Sequence, residues 1–258
     1  MSHTHHRPVP RPFPCLLLGL LLSSLAASAQ VVSVNLIQNP GNNAQQIDTT
    51  ETFGIASLGS VVGGWHNINT GSSNLTDAAG ITTSLDVTLT QPNGQATFNS
   101  AYTDTPLFAG LDDYTTTASP VSVTISDLNA TFSSGYFAIV YVGGFNANTG
   151  ASITDGTTTY FYRPLPSPSA PVSFVQTLQT TDLGDGNNPT AQYAVFGSYE
   201  SPLTADSITF TLDTLYGGGA AIGGLQIVAV PEPASFSLAL MGGLGLLLLA
   251  QHKSRNQG

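Results

Sequence analysis

An all-β fold, a β-sandwich of jelly-roll type, is what three features of this sequence predict. Apolar residues alternate with polar ones at a period of two, the alternating runs are short and bounded by Gly, Asn, Asp and Pro, and a 3.6-residue apolar period is hard to find. Val32, Val34 and Leu36 form the first run. Leu85, Val87 and Leu89 form the next and lead into Gln91-Pro92-Asn93-Gly94, after which Ala96 and Phe98 resume the pattern. Asn-Gly favours the positive φ values of a tight hairpin turn. Val121, Val123 and Ile125 alternate again, whereas residues 136–142 are almost continuously apolar, as a strand covered on both faces would be. Asp155-Gly156, between Ile153 and Tyr160-Phe161-Tyr162, reads as a second hairpin. Further strands are expected at 172–178, at 193–196, through Ile208, Phe210 and Leu212, and at 222–230. Roughly ten strands joined by loops this rich in Gly, Ser, Thr and Asn point to a sandwich. The threonines and serines suit the solvent face of such strands. The Pro-rich stretch 163–171 is the one candidate linker, and the strand-like runs on each side make it a long loop within one domain.

Both ends of the chain are set apart from this fold. Arg7 and Arg11 precede an apolar run at 16–22, and Ala27-Ser28-Ala29 supplies the small-x-small pattern that a signal peptidase accepts. Residues 1–29 therefore read as a signal peptide cleaved after Ala29, with Gln30 the new N-terminus. Cys15 precedes the apolar run, whereas a lipid-modified cysteine follows it. At the other end, Pro231-Glu232-Pro233 is followed by an apolar stretch at 234–250 and then by His252, Lys253 and Arg255. That stretch is 17 residues long and carries Gly242, Gly243 and Gly245, against the ~20 apolar residues that span a bilayer comfortably. It is expected to be a marginal transmembrane helix, with the basic residues after it on the cytoplasmic side.

The ending, residues 231–258, resembles the PEP-CTERM sorting domain of exported proteins of Gram-negative bacteria. The resemblance implies that an exosortase-type enzyme recognises Pro231, Glu232 and Pro233 and processes the chain nearby. A plain proline-capped single-pass anchor is the alternative. Trp65-His66-Asn67 ahead of Asp77-Ala78-Ala79-Gly80, and the Gly-rich apolar run at 222–228, are similar to ectodomains that accompany such tails. This implies a β-sandwich at 30–230 and no particular activity.

That central region has no cysteine, so no disulfide supports it. Arg163 is its only Lys or Arg, against 14 Asp and Glu (the chain's 15 less Glu232). Such a surface repels nucleic acid and anionic headgroups, which leaves the C-terminal tail as the expected route to the membrane.

Candidate chemistry is sparse. Asp112-Asp113 would point to opposite faces of a strand, and Glu51 and Glu200 have no evident reason to meet, so a glycosidase pair is not expected. His66 is the only histidine between the two ends, and no Gly-x-Ser-x-Gly elbow is present. Trp65 with His66, and Tyr160 with Tyr162 on one strand face, are candidates for stacking on a sugar. Asp182, Asp185, Asn187 and Asn188, set among Gly184 and Gly186, form an oxygen-rich loop that calcium could accept, without the EF-hand spacing. No other cofactor is indicated. The expectation is an exported, non-catalytic surface or matrix protein acting by adhesion or polysaccharide binding. The alternatives are a structural matrix component without a ligand and a polysaccharide-active hydrolase.

Overall fold

The structure, a computed structural model, describes residues 30–37, 46–48, 50–90, 111–113, 120–144, 149–164 and 174–231. The signal-like leader, the turn at 91–94, most of the stretch 163–171, and Glu232, Pro233, His252, Lys253 and Arg255 of the tail lie outside these residues. In chain order the strands are β1 (Val31–Leu36), β2 (His66–Ile68), β3 (Gly71–Ser72), β4 (Asp86–Thr90), β5 (Leu111–Asp113), β6 (Val121–Ser126), β7 (Tyr136–Gly144), β8 (Gly150–Thr154), β9 (Thr159–Pro164), β10 (Thr190–Ala191), β11 (Tyr193–Phe196), β12 (Ile208–Tyr216) and β13 (Ala220–Ala229). A single helical turn, α1 (Leu128–Thr131), connects β6 to β7.

These strands form an all-β sandwich of two sheets. One has the order β11-β7-β13-β1-β2, with β5 also paired to β13; the other runs β10-β9-β8-β12-β6-β4-β3. The chain crosses between the sheets after β2, β4, β5, β6, β7, β10, β11 and β12, so each sheet is assembled from strands distant in sequence. Pairing is antiparallel apart from β1 with β2 and β9 with β10. The expected hairpin is present: β8 and β9 pair around Asp155-Gly156, where Gly156 has φ +87° and Asp155 Oδ1 accepts the N–H groups of Thr157 and Thr158. Outer strands β2, β3 and β10 are two or three residues long, which leaves little open ladder for another chain to pair with. The strand expected at 172–178 is not formed over its described part. Residues 174–178 flank β11 through one bridge, Gln176 to Tyr193, and through Thr177 N–H donating to the Tyr193 carbonyl.

The two sheets differ in how they meet water. β6 alternates strictly, with Val121, Val123 and Ile125 buried and Ser122, Thr124 and Ser126 partly exposed. Every residue of β7 is buried. Tyr136, Ala138, Val140 and Val142 enter the core between the sheets, while Phe137, Ile139 and Tyr141 join a second apolar cluster on the sheet's other side. That second cluster is roofed by residues 46–48 and 50–65, which contribute Ile47, Ile55 and Trp65.

In β13 the core-facing parity changes: Ala220 and Ile222 face the main core, and then Leu225 and Ile227 do. A register shift against β7 between Ile222 and Gly224 makes this possible. Without the extra residue Leu225 and Ile227 would turn to the opposite side.

Beneath the roof, polar groups on the covered face are paired with one another. The Gln226 amide donates to Ser33 Oγ (3.0 Å) and to the Ser60 carbonyl (2.8 Å), and its oxygen accepts the Tyr141 hydroxyl (2.7 Å). Burial pushes that phenol well above its ordinary pKa. At one end of this sheet the two termini of the sandwich meet. Ala229 N–H donates to the Gln30 carbonyl and Val230 N–H to the Gly135 carbonyl, while Pro231 is exposed. Among the described residues no helix is long and apolar enough to cross a membrane; the stretch at 234–250 lies outside them.

Candidate functional site

The aromatic candidates turn out to be core. Trp65 is 2% exposed, its ring lies 6.0 Å from Tyr141 and 6.4 Å from Phe53, and its indole N–H donates to the Val62 carbonyl. It packs under the roof because the second cluster requires a large apolar group there, so no face remains on which a sugar could stack. His66 begins β2 beside it and is committed to Thr76, with Nε2 2.9 Å from the Thr76 carbonyl and 3.2 Å from its N–H. Which of the two is bonded depends on the tautomer, but both hold the ring to the same residue. Tyr160 and Tyr162 do share a strand face, as their spacing implies, and it is the inner face. Tyr162 is fully buried, and Tyr160 packs edge-on to Phe196 at 5.2 Å, with burial raising its pKa.

The segments around Trp65 and Asp77 are parts of one structural clamp. Asn67 Oδ1 accepts from Asn35 Nδ2 and from Ile47 N–H, fastening β1, β2 and the roof together. Asp77 is buried; its Oδ1 accepts the N–H groups of Ala79 and Ile81, and its Oδ2 accepts the Gln30 amide. The Asp77–Gly80 turn therefore closes over the start of β1, where Ala78 N–H also reaches the Val31 carbonyl.

The oxygen-rich loop serves itself. Asp182 Oδ2 accepts the Tyr216 hydroxyl at 2.6 Å, while Oδ1 accepts Gly184 N–H and Asn188 Nδ2, both at 2.9 Å. Asn188 Oδ1 is taken by Leu183 N–H, and the Asn187 amide donates to the Asp185 carbonyl. As arranged, the Asp182 and Asn188 oxygens point at N–H and O–H donors, and calcium would have to displace them. The Tyr216 hydroxyl, followed by Asn188 and Gly184, holds the Asp182 carboxyl below its ordinary value and raises the phenol in turn. Arg163 stands beside this loop, its Nε donating to the Asn188 carbonyl at 2.6 Å.

A cleft of about 520 Å³ opens at the end of the sandwich where the termini meet, walled by Tyr136, Asp155, Thr157, Leu203, Thr204 and Ser207. Burial, then Asp206 and Asp155, push the Tyr136 phenol up to about 12, and its hydroxyl donates to the Ala205 carbonyl. Asp155 is the one carboxylate among the lining residues, whereas glycoside cleavage usually uses two. Among the described residues no three His, Cys, Asp or Glu side chains gather as a metal site.

The feature that the sequence candidates missed is the outer face of the second sheet. Alternation along β4, β6, β12 and β8 puts apolar side chains inside and polar ones, mostly hydroxyls, outside, while on β9 the outer face carries Phe161 between Thr159 and Arg163. Register then lines the hydroxyls up across strands. Thr88, Thr124 and Thr209 form one row through β4, β6 and β12. Thr90, Ser122, Thr211, Thr154 and Thr159 form the next row across all five strands. Thr88, Thr90 and Thr209 are exposed and the others are half-buried. Thr124 and Thr209 bond through their hydroxyls at 2.8 Å, as do Thr159 and Thr154 at 3.0 Å. Charge is confined to the margins, with Asp86 on β4, Asp213 on β12 and Arg163 on β9. Comparison with protein-family models, with curated proteins and with solved structures finds no match to this chain.

Proposed function

We propose that this is an exported protein held at the cell surface or in the extracellular matrix, acting without catalysis by adhesion or by binding polysaccharide. The observation that carries the reading is that the sandwich begins and ends at one place: Gln30 is bonded to Ala229, and Pro231 leaves the sheet beside them. A domain preceded by a leader and followed by a membrane-seeking tail can then hang from a single end, with its sheet faces and opposite end turned outward. On this reading a signal peptidase removes residues 1–29, an exosortase-type enzyme acts at Pro231, Glu232 and Pro233, and His252, Lys253 and Arg255 stay cytoplasmic until it does.

We read the sandwich as a jelly roll. The strands β1-β13-β7-β11 and β6-β12-β8-β9 supply two four-stranded sheets in the order that two Greek keys produce, an architecture that lectin domains use.

The test is expression of the full chain in an exosortase-bearing host. Replacing Pro231 and Pro233 with alanine should leave export intact and accumulate an unprocessed, membrane-bound form. Wild-type protein found outside the cell still carrying Arg255 by mass spectrometry would overturn the sorting reading. Release of reducing ends from a matrix polymer would overturn the non-catalytic one.

A further inference from the structure

We infer that the hydroxyl rows on the outer face of the second sheet are a binding site for a single extended chain of neutral polysaccharide, running across β4, β6 and β12. The inference rests on the polysaccharide-binding reading and assigns it a place and a ligand chemistry. Thr88, Thr124 and Thr209 lie in one register row, with Thr90, Ser122 and Thr211 in the next. The rows repeat at about 4.7–4.9 Å between strands and roughly 6.4–6.8 Å along each strand. Every group in them both donates and accepts, and a hydroxyl that has donated to its neighbour, as in the Thr124–Thr209 pair, still offers a lone pair. A sugar hydroxyl has the same dual character.

Charge decides which polymer fits. Carboxylates Asp86 and Asp213 stand at the margins, and the region 30–230 carries 14 acidic residues against one basic, so uronates and phosphate-bearing polymers are repelled. Shape decides between a flexible chain and a rigid surface. Neighbouring strands rotate by about 20–25°, and the two steps from β4 to β12 therefore turn the row by roughly 40–50°. A flat crystalline surface such as ice or a packed fibre meets only part of it, while a single chain follows the twist. Each hydroxyl contact replaces one with water and contributes little alone. Retention accordingly requires a polymer that engages several at once, and monosaccharides should not compete.

The experiment is retention of the full chain, in mild detergent, on immobilised neutral glucan, galactomannan and xylan, with alginate and ice as comparison phases. Three variants are set against wild type. T88V/T124V/T209V removes the hydroxyls and keeps the β-branched shape, T88S/T124S/T209S restores them, and T88E/T209E adds charge without adding apolar surface. The result expected is retention by at least one neutral polymer and by neither alginate nor ice. It should fall at least tenfold in the Val and Glu variants and be kept in the Ser variant, with melting temperatures matched. Retention unchanged in both the Val and Glu variants overturns the site while leaving glycan binding standing. Wild type retained by none of the neutral polymers overturns glycan binding and the site with it. Retention by alginate or ice alone overturns the assigned ligand.

Discussion

Replacing Gln226 by methionine tests whether the covered side of the first sheet is a true second core. The residue is fully buried and joins three elements at once, β1 through Ser33, β7 through Tyr141 and the roof through Ser60. Methionine is flexible and similar in length, so the cavity cost is small and the polar cost dominates. The change leaves the Tyr141 hydroxyl and the Ser60 carbonyl without their partner, and each stranded buried group costs about 1–3 kcal/mol. A loss of roughly 2–6 kcal/mol is expected, a large part of the ~5–15 kcal/mol that holds a domain together. Tyr141→Phe leaves the Gln226 oxygen without its donor and should cost about 1–3 kcal/mol. In the double variant both ends of the 2.7 Å bond are gone, so the combined loss should fall short of the sum by at least about 0.5 kcal/mol. Urea unfolding followed by fluorescence gives the assay. Trp65 is the chain's only tryptophan and stands 6.0 Å from Tyr141, so its emission reports on this cluster. Additivity within about 0.3 kcal/mol, or single variants as stable as wild type, would refute the network. It would also reopen Trp65 as a residue able to meet a ligand.

Two further outcomes follow from the Asp182 loop. Its carboxyl sits below the ordinary value of 3.8 in the folded protein, so its contribution is present above the unfolded value and is lost as pH falls through the folded one. Tyr216→Phe removes the largest cause of the shift, and the Asp182 titration, followed by carboxyl chemical shift, should move up toward the ordinary range. The stability gap between variant and wild type should be widest near pH 7 and narrow as pH falls through the folded value; a gap independent of pH would contradict this. Because the loop's oxygens already accept protein donors, melting in millimolar calcium should match melting in sodium chloride of equal ionic strength. A calcium-specific rise of more than about 2 °C would show selective binding to the folded state and restore the loop as a cation site.

Much of the sheet content was legible because burial on one or two sides leaves different marks. Val121, Val123 and Ile125 alternate with hydroxyls since β6 meets water on its outer face, and residues 136–142 are uniformly apolar since β7 does not. What could not be read is which surface covers which. Residues 46–48 and 50–65 lack periodicity because they work as a roof, held by local bonds such as Ser60 Oγ accepting Ile55 N–H. Trp65 beside His66 consequently offered both a core and a ligand-stacking reading. The roof also depends on Gly54, at φ +148°, where a β-carbon would run into the Ser60 carbonyl; nothing in the sequence distinguishes it from a loop glycine. The hydroxyl face was visible only in pieces. Asp86–Thr90, Val121–Ser126 and Ile208–Tyr216 each show alternating threonine or serine, a pattern that any strand facing water shares. Their meaning lies in β12 coming to pair with β6, a long-range contact that no spacing encodes.

The position of β13 also bears on the sorting proposal. This strand lies between β7 and β1, its last residue, Ala229, opposite Tyr136, and its N–H bonded to Gln30. The ladder has to stop there, because β1 starts at Val31 and proline offers no N–H to extend it. Pro231 thus cannot extend the ladder, whatever enzyme reads the segment. Only residues 230–233 separate β13 from the apolar stretch that opens at Ala234, a span of at most about 14 Å when fully extended. If that stretch enters a membrane, the end of the sandwich bearing the 520 Å³ cleft is held close against it. The hydroxyl face, running along the strands rather than across their ends, stays open at the side. The same geometry therefore disfavours the cleft, and favours the sheet face, as the surface that an anchored molecule presents to a polymer.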